Sequence, residues 1–223
     1  MLEFCHVTRK QGKFTLSDID FKLDAGYLLG IVGKNGAGKS TLIKCMLQED
    51  CPYTGDIFFQ GKNIKNHRKE FLATTAYIAD DNKFFMEKSA LKNVEIFEGF
   101  YETMDIERFK TYMKEMNLSH GKKVGQMSRG EFIRFQIAFA RARNAKLYLL
   151  DEATAGMDPV FRKEFYDMLR QLLAEEATII MTTHVQSDLN RNMDYICRLE
   201  EGKIISYVEN TGDMDVTGEM IYG

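Results

Sequence analysis

The sequence predicts an α/β fold: a mostly parallel sheet with helices on both faces, preceded by an antiparallel β subdomain and interrupted by a helical subdomain. Three observations carry that reading. Short apolar runs recur at 28–32, 75–79, 147–150 and 178–183, each the length of a buried strand. Segments of helical spacing follow two of them, from Ser40 to Leu47 and onward from Pro159. The stretch 89–143 has only helical periodicity and breaks the alternation.

Taken in order, residues 2–24 form two strands. Leu16, Ile19, Phe21 and Leu23 alternate as in a half-buried antiparallel pair, with Gly12 in the turn. Gly26 opens the apolar strand at 28–32. Pro52 and Gly55 then break the chain, and 56–62 reads as a strand running into a turn. The strand at 75–79 ends on the acidic pair Asp80-Asp81. In the helical stretch, Leu91, Val94 and Phe97 form one stripe, and Phe109, Tyr112, Met113 and Met116 another. Leu147-Tyr148-Leu149-Leu150 is a central strand that delivers Asp151 and Glu152 at its C-terminal end, where open α/β sheets bind ligands. Pro159 suits the first turn of a helix lined by Phe161, Phe165, Met168, Leu169 and Leu172. Strands around Ile196 and Ile204, with Gly202 between them, close the fold; the tail after Asn210 has no periodic signal. The expected division is a core of about 1–85 and 144–208, a helical subdomain of about 86–143 and a tail of 209–223.

Composition narrows the class. The chain has 223 residues, 44% of them hydrophobic and 28% charged, which is enough to build a real core. A net charge of −3 gives no bulk attraction to nucleic acid, so no nucleic-acid partner is expected. The four cysteines are scattered without a C-x-x-C pair, which fits reduced thiols in a cytoplasmic protein. The polar N-terminus does not read as a signal peptide. No apolar run approaches the roughly 20 residues that span a bilayer, so membrane work would need a second chain.

Gly33-Lys34-Asn35-Gly36-Ala37-Gly38-Lys39-Ser40 fits G-x-x-x-x-G-K-[ST] without a mismatch. Its glycines allow backbone N–H groups to approach a polyphosphate that a Cβ would keep away. Lys39 brings a point charge to the β- and γ-phosphates, and the Ser40 hydroxyl is a Mg²⁺ ligand. The strand before and the helix after complete the context, with the helix N-terminus facing the phosphates. This loop defines a P-loop NTPase core. Four further features accompany it. Asp151 would hold Mg²⁺ through water, and Glu152 would polarise an attacking water. Met127-Ser128-Arg129-Gly130-Glu131 precedes a helix, Ala155-Gly156-Met157-Asp158 follows the acidic strand end, and His184 ends the strand at 178–183.

In that order these motifs resemble an ATP-binding cassette (ABC) ATPase, over residues 2–208. The resemblance implies ATP and Mg²⁺ as ligands. It gives Gly33, Asn35, Gly36, Ala37, Gly38, Lys39, Ser40 and Thr41 to the Walker A loop, Asp151 to Walker B and Glu152 to the catalytic glutamate. It gives Ser128, Gly130 and Glu131 to the signature loop, Asp158 to the D-loop and His184 to the switch histidine. It implies a second cassette, with two ATP molecules sandwiched head to tail and each site completed by the partner's signature loop. A signature Ser and Gly at a helix start suit an anionic phosphate; the plainer alternative is Ser128 as an N-cap with Glu131 as a first-turn acid.

Three positions depart from the family pattern. The signature reads MSRGE rather than LSGGQ, and Arg129 either adds a cation near the partner's γ-phosphate or lies solvated. Asp80 stands where the family places a glutamine, as a metal ligand of shorter reach. Gln11 stands where an adenine-stacking aromatic is expected, and Phe14 either replaces it or belongs to the core. Phe84, Phe85 and Met86 form either core of the helical subdomain or an apolar patch for a membrane partner's helix. The expected function is the ATPase subunit of an exporter of drugs, peptides or lipids. It would sit at the inner face of the cell membrane through a separate permease. The alternative is a soluble, non-transport ABC ATPase with a regulatory or assembly role.

Overall fold

The computed structural model describes residues 1–47, 52–81, 83–183 and 192–210. Two sheets and a group of helices make up the described chain. The first sheet is antiparallel, in the order β2-β1-β4-β5, from β1 (Leu2–Gln11), β2 (Phe14–Leu23), β4 (Thr54–Phe59) and β5 (Lys62–Asn63). Its inward residues follow the expected alternation: Phe4, Leu16, Ile19, Leu23 and Ile57 are buried.

The second sheet has six strands in the order β10-β9-β3-β8-β7-β6. It is built from β3 (Leu28–Val32), β6 (Thr75–Ile78), β7 (Leu147–Leu150), β8 (Thr178–Thr183), β9 (Tyr195–Glu200) and β10 (Lys203–Glu209). Strands β9, β3, β8, β7 and β6 run parallel, and β10 closes the edge antiparallel to β9. All four residues of β7 and all six of β8 are buried, as expected of strands covered on both faces. Helices α1 (Lys39–Leu47) and α6 (Pro159–Ala174) belong to separate clusters, α1 packing with the first sheet and α6 with the opposite layer. Pro159 stands in the first turn of α6 and Asp158 caps it.

The helical part holds α3 (Ala90–Phe97), α4 (Ile106–Glu115) and α5 (Arg129–Ala142) around its own cluster, which includes Val94, Phe109, Met113, Phe135 and Phe139. The short α2 (Arg68–Thr74) was not expected from the sequence. Two buried polar side chains tie this part to the parallel sheet. Gln136 on α5 exchanges hydrogen bonds with Ala79, its amide donating at 3.2 Å and its carbonyl accepting at 3.3 Å. The Arg143 guanidinium donates to the Ala73 and Thr75 carbonyls and lies over the Tyr101 ring. Buried polar groups matched in this way fix orientation, because a shift would strand them without partners.

The turn after β6 resolves the two readings of its apolar residues. Phe84 packs among Phe97, Phe132, Phe135 and Phe139, with centroids 5.9, 6.0, 4.7 and 5.3 Å away, and belongs to the core. Phe85 and Met86 are 49% and 48% exposed. The buried Asn93 amide holds this turn, accepting from the Phe85 N–H at 2.8 Å and donating to the Phe85 carbonyl at 3.1 Å. Phe84→Asp is therefore expected to lower stability by about 3 kcal/mol or more, while Phe85→Asp stays within about 0.5 kcal/mol. Thermal melting of the two variants checks this; equal losses would contradict the division.

Candidate functional site

The site lies at the C-terminal ends of β3, β7 and β8. The loop from Gly33 to Gly38 leaves β3 and enters α1 beneath the antiparallel sheet. At Gly33 an added Cβ would come within 2.2 Å of the Leu199 carbonyl oxygen, so the loop can follow this path only with glycine. Gly38 has φ +109°, and an added Cβ would meet the Phe14 ring at 2.7 Å. Phe14 thus lies against the loop and packs with the first-sheet cluster, which is the core reading of that residue. Gln11 is exposed at the tip of the first hairpin.

Lys39 is 5% exposed, and its ammonium donates to the carbonyls of Gly33 at 2.8 Å and Lys34 at 3.2 Å. The same Nζ lies 3.9 Å from Glu152 Oε1. Across the loop, the Ser40 hydroxyl donates to Asp151 Oδ1 at 3.2 Å. The first helical turn and the end of β7 therefore meet as the sequence predicted. Within the loop, Asn35 and Gly36 are exposed, Ala37 is buried and Thr41 is half-buried in the first turn.

Thr182, on β8, was not singled out from the sequence. Its hydroxyl donates to Asp151 Oδ1 at 2.6 Å and accepts from the Glu152 N–H at 2.9 Å. One hydroxyl thus ties the Asp151 carboxylate to the Glu152 backbone N–H at the strand end. Glu152 sits at φ +48°, in the left-handed region that a side chain other than glycine rarely adopts. Such strain persists only where surrounding bonds enforce it. His184 follows β8 but lies outside the described residues.

The signature loop adopts the capping arrangement that the sequence offered as its plainer reading. Ser128 caps α5 in a complete capping box: its hydroxyl accepts from the Glu131 N–H at 3.3 Å, and Glu131 Oε2 accepts from the Ser128 N–H at 2.8 Å. Glu131 also takes the Lys122 ammonium at 2.8 Å. That ammonium and the Ser128 N–H hold its carboxyl below the usual carboxylate range. In this form Glu131 serves the cap, where the family pattern had placed it against ATP. Gly130 faces the Phe161 ring of α6, 3.2 Å from an added Cβ.

Arg129 is paired within its own chain. Its Nε donates to both carboxylate oxygens of Asp80 at 2.9 Å. The Asp80 carboxylate is directed to this guanidinium rather than to the Ser40–Asp151 pair expected to hold the metal. The guanidinium supplies a charged donor to the carboxylate within one chain. Asp158, expected in the D-loop, caps α6 by accepting from the N–H groups of Val160 at 3.1 Å and Phe161 at 2.9 Å.

The donor set fits a nucleotide and a hard divalent cation. A loop that excludes Cβ atoms opens onto a buried ammonium, and a hydroxyl and a carboxylate stand in contact beside it.

The ABC transporter family model matches residues 16–155. The Nod factor export ATP-binding protein I of Neorhizobium galegae is 30% identical over 199 residues, covering 87% of this chain and 57% of that protein. Its namesake from Rhizobium meliloti (strain 1021) is 29% identical over 211 residues, covering 92% and 63%. The chain thus spans about three-fifths of the length of these relatives. Among solved structures, an ATP-binding subunit of an ABC transporter superposes with TM-score 0.83 at 22% identity, over 94% of this chain and 90% of that one. CbiO1 from Clostridium perfringens, part of the ABC transporter complex cbiONQ, gives 0.79 at 26% identity, over 94% and 88%. With the family pattern running through the phosphate loop and the acidic strand end, and the fold shared over nearly its whole length, the chain belongs to the ABC transporter family as an ATP-binding protein.

Proposed function

We propose that the chain binds and hydrolyses ATP as the nucleotide-binding subunit of an exporter, powering a separately encoded permease that moves a drug, a peptide or a lipid. The observation that carries this is the meeting of Lys39, Ser40, Asp151 and Glu152 at one point, with Thr182 bonded to the Asp151 carboxylate and to the Glu152 N–H. The loop N–H groups and Lys39 take the β- and γ-phosphates. Ser40 and Asp151 are the residues that would hold Mg²⁺, which when bound neutralises charge on the phosphates. Glu152 accepts the proton of the attacking water. A second cassette completes each site, its Ser128 and Gly130 facing the γ-phosphate once the cap opens toward it, with His184 and Asp158 in their family roles.

Export is supported by the names of the relatives. Among the described residues no helix is long and apolar enough to cross a membrane, so the reading assigns passage to the permease and places this chain at the inner face of the cell membrane. Phe85 and Met86 offer that partner an apolar edge. The test is phosphate release from ATP by the purified chain, with Mg²⁺ and with a chelator. Mg²⁺-dependent release supports the reading, and its absence from folded, ATP-bound protein would overturn it.

A further inference from the structure

We infer that Arg129 is a positioning residue for Glu152, and that Asp80 holds Arg129 in that role; the inference rests on Glu152 being the general base proposed above. The guanidinium spans two sides of the site. Its Nε engages both oxygens of Asp80 at 2.9 Å, and its Nη2 donates to the Glu152 carbonyl at 3.3 Å. Its Nη1 lies 3.8 Å from where a Cβ on Gly156 would stand, so it also lies along the turn that leads to Asp158.

The Glu152 peptide units are thereby held from both sides. Thr182 accepts from the N–H, and the carbonyl takes the Arg129 guanidinium beside the Ala155 N–H at 3.1 Å, around a residue at φ +48°. Neither bond touches the carboxylate, yet together they fix the backbone from which it projects toward Lys39. A planar fork is needed for this, since one cation must satisfy a carboxylate and a carbonyl in different directions; a lysine ammonium is a point charge on a flexible stem. Asp80 is itself anchored, because Gln136 of the same helix clamps the neighbouring Ala79 peptide on both its N–H and its carbonyl. Signature helix, β6 end and Glu152 turn form one connected unit. The two departures from the family pattern, Arg129 and Asp80, are therefore a matched pair.

The side chains of Arg129 and Asp80 are 34% and 59% exposed, so the pair adds little to stability and its variants are expected to fold. Two measurements test the role. In the nucleotide-free protein, amide hydrogen exchange at Glu152 and Ala153 should quicken about tenfold in Arg129→Ala, with melting unchanged. In steady-state ATP hydrolysis, Arg129→Ala and Arg129→Lys should lower kcat about tenfold, with KM within about twofold, and Asp80→Asn should follow in the same direction. In a Glu152→Gln background, Arg129→Ala should change the residual rate less than about twofold, since a residue acting through Glu152 has nothing left to position. Unchanged exchange overturns the inference, and so does an equal loss in the Glu152→Gln background. Wild-type protein without turnover would contradict the proposed function instead, and the exchange result alone would then decide the role of Arg129.

Discussion

Glu152→Gln is expected to lower ATP turnover roughly 10²-fold or more while leaving ATP affinity in place. The substitution keeps the shape of the side chain and removes its capacity to accept a proton. The backbone that aims it is unaffected, because Thr182 bonds the Glu152 N–H and Arg129 the carbonyl. Loss of the 3.9 Å approach to Lys39 removes one charge interaction from the ammonium, which retains its bonds to the Gly33 and Lys34 carbonyls. The expected signature is a fall in kcat without a fall in binding. Equilibrium titration with a labelled ATP analogue, beside phosphate release, measures both. A near-normal rate in this variant would remove Glu152 from the role of base.

Lys39→Ala is expected to abolish nucleotide binding rather than to slow the chemistry. The ammonium is nearly buried, where it donates to the Gly33 and Lys34 carbonyls. A triphosphate drawn into the loop would lose its buried countercharge, a loss on the order of 3–5 kcal/mol for a broken buried pair, or more than 10²-fold in affinity. The fold should tolerate the change, because among the described residues Lys39 bonds backbone carbonyls and approaches one partly exposed carboxylate. The same titration decides: unchanged affinity would mean that the loop is not the nucleotide site.

Much of this was legible in the sequence because the signals were local. A continuous apolar run of strand length bounded by turn residues reads as a buried strand, and an octapeptide with three glycines and two lysines carries its chemistry within itself. The meeting of Ser40 with Asp151 follows from the loop and first helical turn after β3 and the end of β7 lying at the C-terminal edge of the same parallel sheet. Helix α2 escaped notice because its seven residues bury only Phe71 and are otherwise dominated by charge and small side chains. Thr182 escaped because a β-branched residue in an apolar strand reads as packing, and it is Asp151 and Glu152, just past the end of β7, that give its hydroxyl a role. Arg129 and Asp80 were each recognised as departures. That they face each other across 49 positions depends on how α5 lies against the end of β6, which no local pattern states. The apolar run Phe84-Phe85-Met86 has no periodicity of its own. Asn93 decides which of these residues turns inward.

The central claim is that each ATP site takes its phosphate loop from one chain and its signature loop from another. The most direct measurement is phosphate release from an equimolar mixture of Lys39→Ala and Ser128→Arg chains. Each variant alone is expected to be inactive: one has no working phosphate loop, and the other presents bulk and charge where the partner's nucleotide would sit. In the mixed dimer one site pairs an intact loop with an intact signature, so Mg²⁺-dependent release should rise well above either variant alone. A mixture no more active than its separate components, with both chains folded, would contradict the shared site.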